Sequence, residues 1–135
     1  MVHIELKNVC DLLMICPLSA NTLAKYANGI SDNLLTCIAR AWPYERRGGA
    51  EGGAWVLKKP VMVAPAMNTD MFEHPITEKQ LAVLRGELGV HVMDTVVKML
   101  MCNTKGSGAM AEVGDIVNKA EELLGEFESK KEGKE

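Results

Sequence analysis

Two apolar runs, Leu12–Cys16 and Val61–Ala64, each stop at a proline and then turn polar. Both are too short for a helix and neither alternates with polar residues, so each reads as a strand covered on both faces. Helical spacing fills much of the rest. Asn21–Ala27 predicts a short helix that Ser19 or Asn21 caps and Asn28-Gly29 closes. Asp32–Trp42 places Leu34, Leu35, Ile38 and Ala41 on one face and stops at Pro43. Thr77–Leu88 predicts a helix with Thr77 as its cap and Gly89 as its end, and Val90–Met93 a third short strand. Asp94–Gly114 lacks a period and reads as a mobile loop or flap. Asp115 to about Lys130 reads as a terminal helix fraying into a charged tail.

Strand–helix alternation of this kind implies a parallel sheet with helices on both faces. With only three strands, such a sheet keeps an open apolar edge, so the chain reads as the second half of a doubly wound domain. The domain is expected over residues 1–129, with 130–135 as the tail. Arg46–Ala54 is rich in glycine and reads as a flexible surface loop. It follows a helix and precedes a strand, the reverse of a phosphate-binding loop's context. In open α/β folds, ligands gather at the carboxyl ends of the strands. The two proline turns, Pro17–Thr22 and Pro65–Phe72, therefore predict one pocket built from both.

Composition narrows the function classes. The chain has 135 residues, 47% hydrophobic and 24% charged, with a net charge of −3, which gives no electrostatic reason to expect nucleic acid. No apolar run approaches the roughly 20 residues needed to cross a bilayer, and the first residues lack a signal-peptide layout. The expectation is a cytoplasmic protein with no membrane partner. Four cysteines at 10, 16, 37 and 102 show no zinc spacing and are expected as free thiols, with no metal site. Cys16 and Cys37 lie in apolar runs and suit the core. Cys102 stands among Gly, Ser, Thr and Asn.

Four motifs carry a resemblance. Pro-Leu-Ser-Ala-Asn-Thr at 17–22, Asp-Asn-Leu-Leu-Thr-Cys at 32–37, Pro-Ala-Met-Asn at 65–68 and Gly-Ser-Gly-Ala-Met-Ala-Glu at 106–112 stand in register. Together they resemble the homo-oligomeric flavin-containing cysteine decarboxylases, in particular the phosphopantothenoylcysteine decarboxylases and their halotolerance-type relatives. The likeness runs from about His3 to Ala111. It implies a Rossmann-like or flavodoxin-like fold of which only the C-terminal half is present.

The resemblance also implies FMN as cofactor and decarboxylation of phosphopantothenoylcysteine to phosphopantetheine in coenzyme A biosynthesis. The cysteinyl part is oxidised to a thioaldehyde-like species, loses CO2 as electrons delocalise onto sulfur, and is then reduced and protonated. His3 is implied as an acid/base group near the flavin, Asn68 as the grip on the substrate carboxylate, and Cys102 as the proton donor to the enethiolate. Ser19, Ala20, Asn21, Thr22 and Ala66 are implied as flavin contacts. Met71, Met101 and Met110 are implied on the substrate side. His74 and His91 read as structural or exposed.

The chain departs from the family pattern at Phe72 (usually tryptophan), at Met99 (often basic, with Lys98 beside it) and at Asn103-Thr104-Lys105 (usually Gly-Asp-Tyr). The family's first strand and flavin-phosphate loop precede the histidine, so truncation is expected. The implied assembly is a homotrimer with active sites between protomers. The alternatives are a partner or regulatory subunit of a halotolerance-type complex, or an inactive fragment.

Overall fold

A computed structural model of the chain describes residues 1–49, 51–99 and 105–133. At its centre lie three parallel strands in the order β1–β4–β5: β1 is Leu13–Leu18, β4 Val61–Pro65 and β5 His91–Val92. Leu13 pairs with Val61 and Ile15 with Val63, while Met62 and Val63 pair with His91 and Val92 on the other side. Between Ile15 and Leu18 the register shifts, around the cis Cys16–Pro17 peptide bond, and β1 carries on past its proline to Leu18.

Every residue of β4 is buried, because it is the middle strand and both of its faces are covered. Its side chains alternate between two cores. Val61 and Val63 join Leu13, Ile15, Leu23, Ala39, Leu81 and Leu84 on one face. Met62 and Ala64 join Ala111, Ile116 and Leu123 on the other. The first face is packed by α2 (Ala20–Asn28), α3 (Leu34–Ala41) and α5 (Pro75–Ala82), which continues as a π-helical turn over Val83–Glu87. The second face is packed by α6 (Val113–Glu132). Helices thus cover both faces. β1 is the exception to double burial, since Met14 is 40% exposed at the sheet's edge.

Local chemistry sets the helix ends. Ser19 caps α2, its Oγ accepting from the Thr22 N–H at 3.1 Å, and Gly29, with φ of 74°, closes it. Asn33 and Thr36 form a reciprocal capping box on α3. Thr77 does not cap α5. His74 does, its Nδ1 accepting from the Ile76 N–H at 3.1 Å, because Pro75 fits the first helical position. Thr77 is instead buried and donates to the Met71 carbonyl at 2.5 Å.

The first residues form a helix, α1 (Val2–Val9), which packs against α3. Two expectations about loops change. The glycine-rich stretch lies between two short strands that pair antiparallel, β2 (Tyr44–Arg46) and β3 (Trp55–Leu57). A cross-strand pair holds it: the Arg46 guanidinium lies 3.9 Å from the centre of the Trp55 ring. The expected flap contains a second hairpin, β6 (Val96–Met99) with β7 (Lys105–Ala109). α6 runs on through Lys130–Glu132. Among the described residues no helix is long and apolar enough to cross a membrane.

Candidate functional site at the carboxyl edge of the sheet

The two proline turns lie side by side. Leu18, the last residue of β1, pairs with Pro65, the last of β4, and the Ala66 N–H donates to the Leu18 carbonyl at 3.0 Å. This bond brings the start of α2 next to the turn that leads to Asn68. At the start of α2, Ser19 Oγ accepts from the Thr22 N–H and donates to Thr22 Oγ1 at 3.2 Å. The Ala20 and Asn21 N–H groups stand in the first turn, where no helical carbonyl can reach them. Such a helix start suits anionic or carbonyl oxygen atoms. Ser19 and Asn21 are exposed and Ala20 and Thr22 half-buried. Ala66 is half-buried and its N–H is already engaged, so its carbonyl and methyl remain for contact.

Asn68 caps the short α4 (Thr69–Glu73), its Oδ1 accepting from the Asp70 N–H at 2.8 Å. That bond fixes which way round the amide sits and leaves Nδ2 with two donors on an exposed side chain. Acceptors such as a carboxylate match it.

β7 lies directly against this turn. The Met67 N–H donates to the Gly108 carbonyl at 2.9 Å, and Ser107 Oγ donates to Glu73 Oε1 at 2.9 Å. A Cβ on Gly108 would sit 2.2 Å from the Met67 carbonyl oxygen and 3.1 Å from Phe72 Cβ. Only glycine permits that approach. An ion pair at 4.0 Å joins Lys98 of β6 to Glu112 after β7.

The remaining candidates are more dispersed. Met71 is 51% exposed beside Asn68, whereas Met110 is half-buried against the second core with Met62 and Ala64. His3 is half-buried on α1 and makes no hydrogen bond or ion pair among the described residues. Lys59, just before β4, donates to the Lys7 carbonyl, which ties the far end of α1 to the opposite edge of the sheet. The chain therefore joins the Ser19 and Asn68 turns through its own bonds but does not bond His3 to either. Met101 and Cys102 lie outside the described residues. Cys16 is half-buried, and burial raises its thiol pKa, partly offset by a hydrogen bond with the Ala64 backbone.

Missed by sequence reasoning were Gly108, Ser107 and Glu73 as the docking contacts of β7. The signal for the first was present, since two glycines flanking a serine in a strand mark a close backbone approach.

A parallel sheet covered by helices, with two polar turns at its carboxyl edge, places the chain among the α/β proteins, in which that edge is where ligands gather. Residues 1–125 match the family described as Flavoprotein, and the chain belongs to that family. It is 44% identical over 128 residues to phosphopantothenoylcysteine decarboxylase of Mus musculus, a match covering 95% of this chain and 56% of that one. It is 50% identical over 111 residues to a probable phosphopantothenoylcysteine decarboxylase of Arabidopsis thaliana, covering 82% and 48%. Among solved structures, a PPC decarboxylase mutant complexed with pantothenoylaminoethenethiol superposes with a TM-score of 0.76 at 44% identity, over 92% of this chain and 60% of that one. The FMN binding protein AtHal3 gives 0.73 at 46%, over 90% and 58%. The chain thus spans about half to three-fifths of the length of these relatives.

Proposed function

We propose that the chain binds FMN and carries the substrate-gripping part of a phosphopantothenoylcysteine decarboxylase, a carboxy-lyase of coenzyme A biosynthesis. One observation carries this reading. The exposed amide of Asn68 sits on a turn bonded to Leu18, the residue just before the helix start at Ser19–Thr22. The exposed first turn of α2 and the half-buried Ala66 fit the polar edge of a flavin. The relatives support the cofactor and the substrate through what they are called and, in the solved complex, through the ligand held.

Bound there, the flavin would supply the two-electron oxidation and the later reduction. The chain's own residues do the rest. The two Asn68 Nδ2 donors hold the substrate carboxylate, which fixes the bond that is to break. Met71 and Met110 present flexible apolar surface to the substrate. His3 exchanges a proton through its imidazole, and Cys102, outside the described residues, gives the final proton from its thiol.

His3 reaches such a site from a neighbouring protomer in the proposed homotrimer. In support, no residue of α1 is fully buried, and Val2 and Val9 are exposed. A cytoplasmic location belongs to the same proposal, in keeping with free thiols at Cys10, Cys16 and Cys37.

The test is to purify the chain with FMN, record the visible spectrum and assay CO2 and phosphopantetheine from phosphopantothenoylcysteine. A yellow, active protein is expected, with turnover lost in Asn68→Asp and in His3→Asn. Mixing the two inactive variants should restore part of the activity if sites are shared between protomers. A colourless protein, or full turnover by Asn68→Asp, sinks the reading.

A further inference from the structure

A cavity of about 480 Å3 opens at the amino-terminal edge of the sheet, the opposite end from the two turns. Two hydrogen bonds place it there. Trp42 Nε1 donates to the Lys59 carbonyl ahead of β4 at 2.9 Å, and Tyr44 Oη donates to the Leu88 carbonyl ahead of β5 at 2.7 Å. The end of α2, the end of α3, the β2–β3 hairpin and the end of the π-helical turn form its walls. Its volume falls within the range of about 300–1,000 Å3 typical of small-molecule sites. Its lining is largely aromatic and aliphatic, with Trp42, Tyr44, Trp55 and Ile30 prominent.

Two polar groups in this lining lack protein partners among the described residues. The Tyr26 hydroxyl is buried and has no hydrogen-bond partner among the described residues. A buried donor left unmade is costly, and a ligand oxygen would satisfy it. Burial raises the Tyr26 pKa and nearby Tyr44 adds to the shift, so the hydroxyl stays a neutral donor. Arg40 forms no ion pair among the described residues. Its side chain lies over Gly29, where a Cβ would come 3.5 Å from Nε. At the mouth, Trp55 is 55% exposed and is held by Arg46, which stacks on it and donates to the Gly53 carbonyl at 2.8 Å.

We propose that this cavity binds a small organic monoacid with an aromatic or alicyclic body. The body packs among Trp42, Tyr44 and Trp55, and the carboxylate meets the Arg40 guanidinium, whose planar fork matches it. A second ligand oxygen accepts from the Tyr26 hydroxyl. Glu87, also in the lining and unpaired with Arg40, works against acids with a second negative charge.

The chain's two tryptophans both line the cavity, so intrinsic fluorescence reports on it directly. The probes are phenylacetate, phenethyl alcohol and phenethylamine, matched in size and differing in charge. Phenylacetate should give a saturable change and bind at least about fivefold more tightly than the alcohol or the amine. Arg40→Gln, at an exposed position, should abolish that advantage. Tyr26→Phe should weaken the acid and the alcohol alike, and Trp55→Ala, which leaves Trp42 as reporter, should weaken all three. No saturable change up to about 10 mM, equal affinity for acid and alcohol, or an acid preference surviving Arg40→Gln would overturn the proposal.

Discussion

The two ends of the sheet solve opposite problems with different residues. At the carboxyl edge the side chains are short and polar, several are exposed, and backbone hydrogen bonds hold the turns: Ala66 to Leu18, Met67 to Gly108. At the amino edge, Trp42 and Tyr44 reach across to the Lys59 and Leu88 carbonyls, so long aromatic side chains join elements far apart in sequence. Fixing a turn through its backbone leaves side-chain donors free for a ligand, as with Asn68. Fixing an edge through aromatic side chains stabilises the fold and uses up most of the polar groups that do it.

If that contrast is right, the largest stability loss comes from the amino edge. Trp42→Ala removes a nearly fully buried ring and should cost about 3–5 kcal/mol in urea denaturation. A loss under about 1 kcal/mol would mean that the aromatic anchor matters little.

At the carboxyl edge, Gly108→Ala should be the most damaging single change. The added methyl cannot share space with the Met67 carbonyl, and the expected cost is about 1–3 kcal/mol, with amide exchange faster at Met67. Ser107→Ala removes only the hydrogen bond to Glu73 and should cost less.

Alkaline pH should separate the ends further. Burial pushes the Tyr44 pKa up to about 12, and that of Tyr26 higher still. Both hydroxyls remain protonated in the fold at pH values where an unfolded tyrosine, with a pKa of about 10, has ionised. Their stabilisation is complete below about pH 10; that of Tyr44 is lost as pH rises from there through about 12, and that of Tyr26 at higher pH still. Tyr44→Phe should flatten the fall of the urea midpoint across that window.

The smallest effect belongs to the cap. Ser19→Ala should cost about 0.5–1 kcal/mol in stability while weakening any ligand held at the start of α2. Equal losses in stability and in binding would make Ser19 a cap and nothing more.

Much of this was legible in the sequence, and the failures have physical causes. β4 and its turn could be read because an unbroken apolar run bounded by a proline suits a strand covered on both faces. β1 was read as doubly covered, but nothing in a run of Leu, Met, Ile and Cys distinguishes an edge strand from a central one. The β2–β3 hairpin was hidden by the glycines that make its turn, although Tyr44-Glu45-Arg46 and Trp55-Val56-Leu57 flank them with strand-forming residues. β7, Lys-Gly-Ser-Gly-Ala, has almost no strand propensity, and its conformation comes from docking on Met67. α1 was invisible because it buries no face completely. At the site, Ser19 and Asn68 were legible as turn residues. Their adjacency depends on the parallel pairing of β1 with β4, strands separated by more than forty residues.

The Ala66–Leu18 hydrogen bond has a thermodynamic consequence. It makes the two turns a common frame, so a molecule that immobilises one has already met part of the ordering cost of the other. Two ligands held on neighbouring turns should then reinforce each other, and by linkage the gain is mutual: each raises the other's affinity by the same factor.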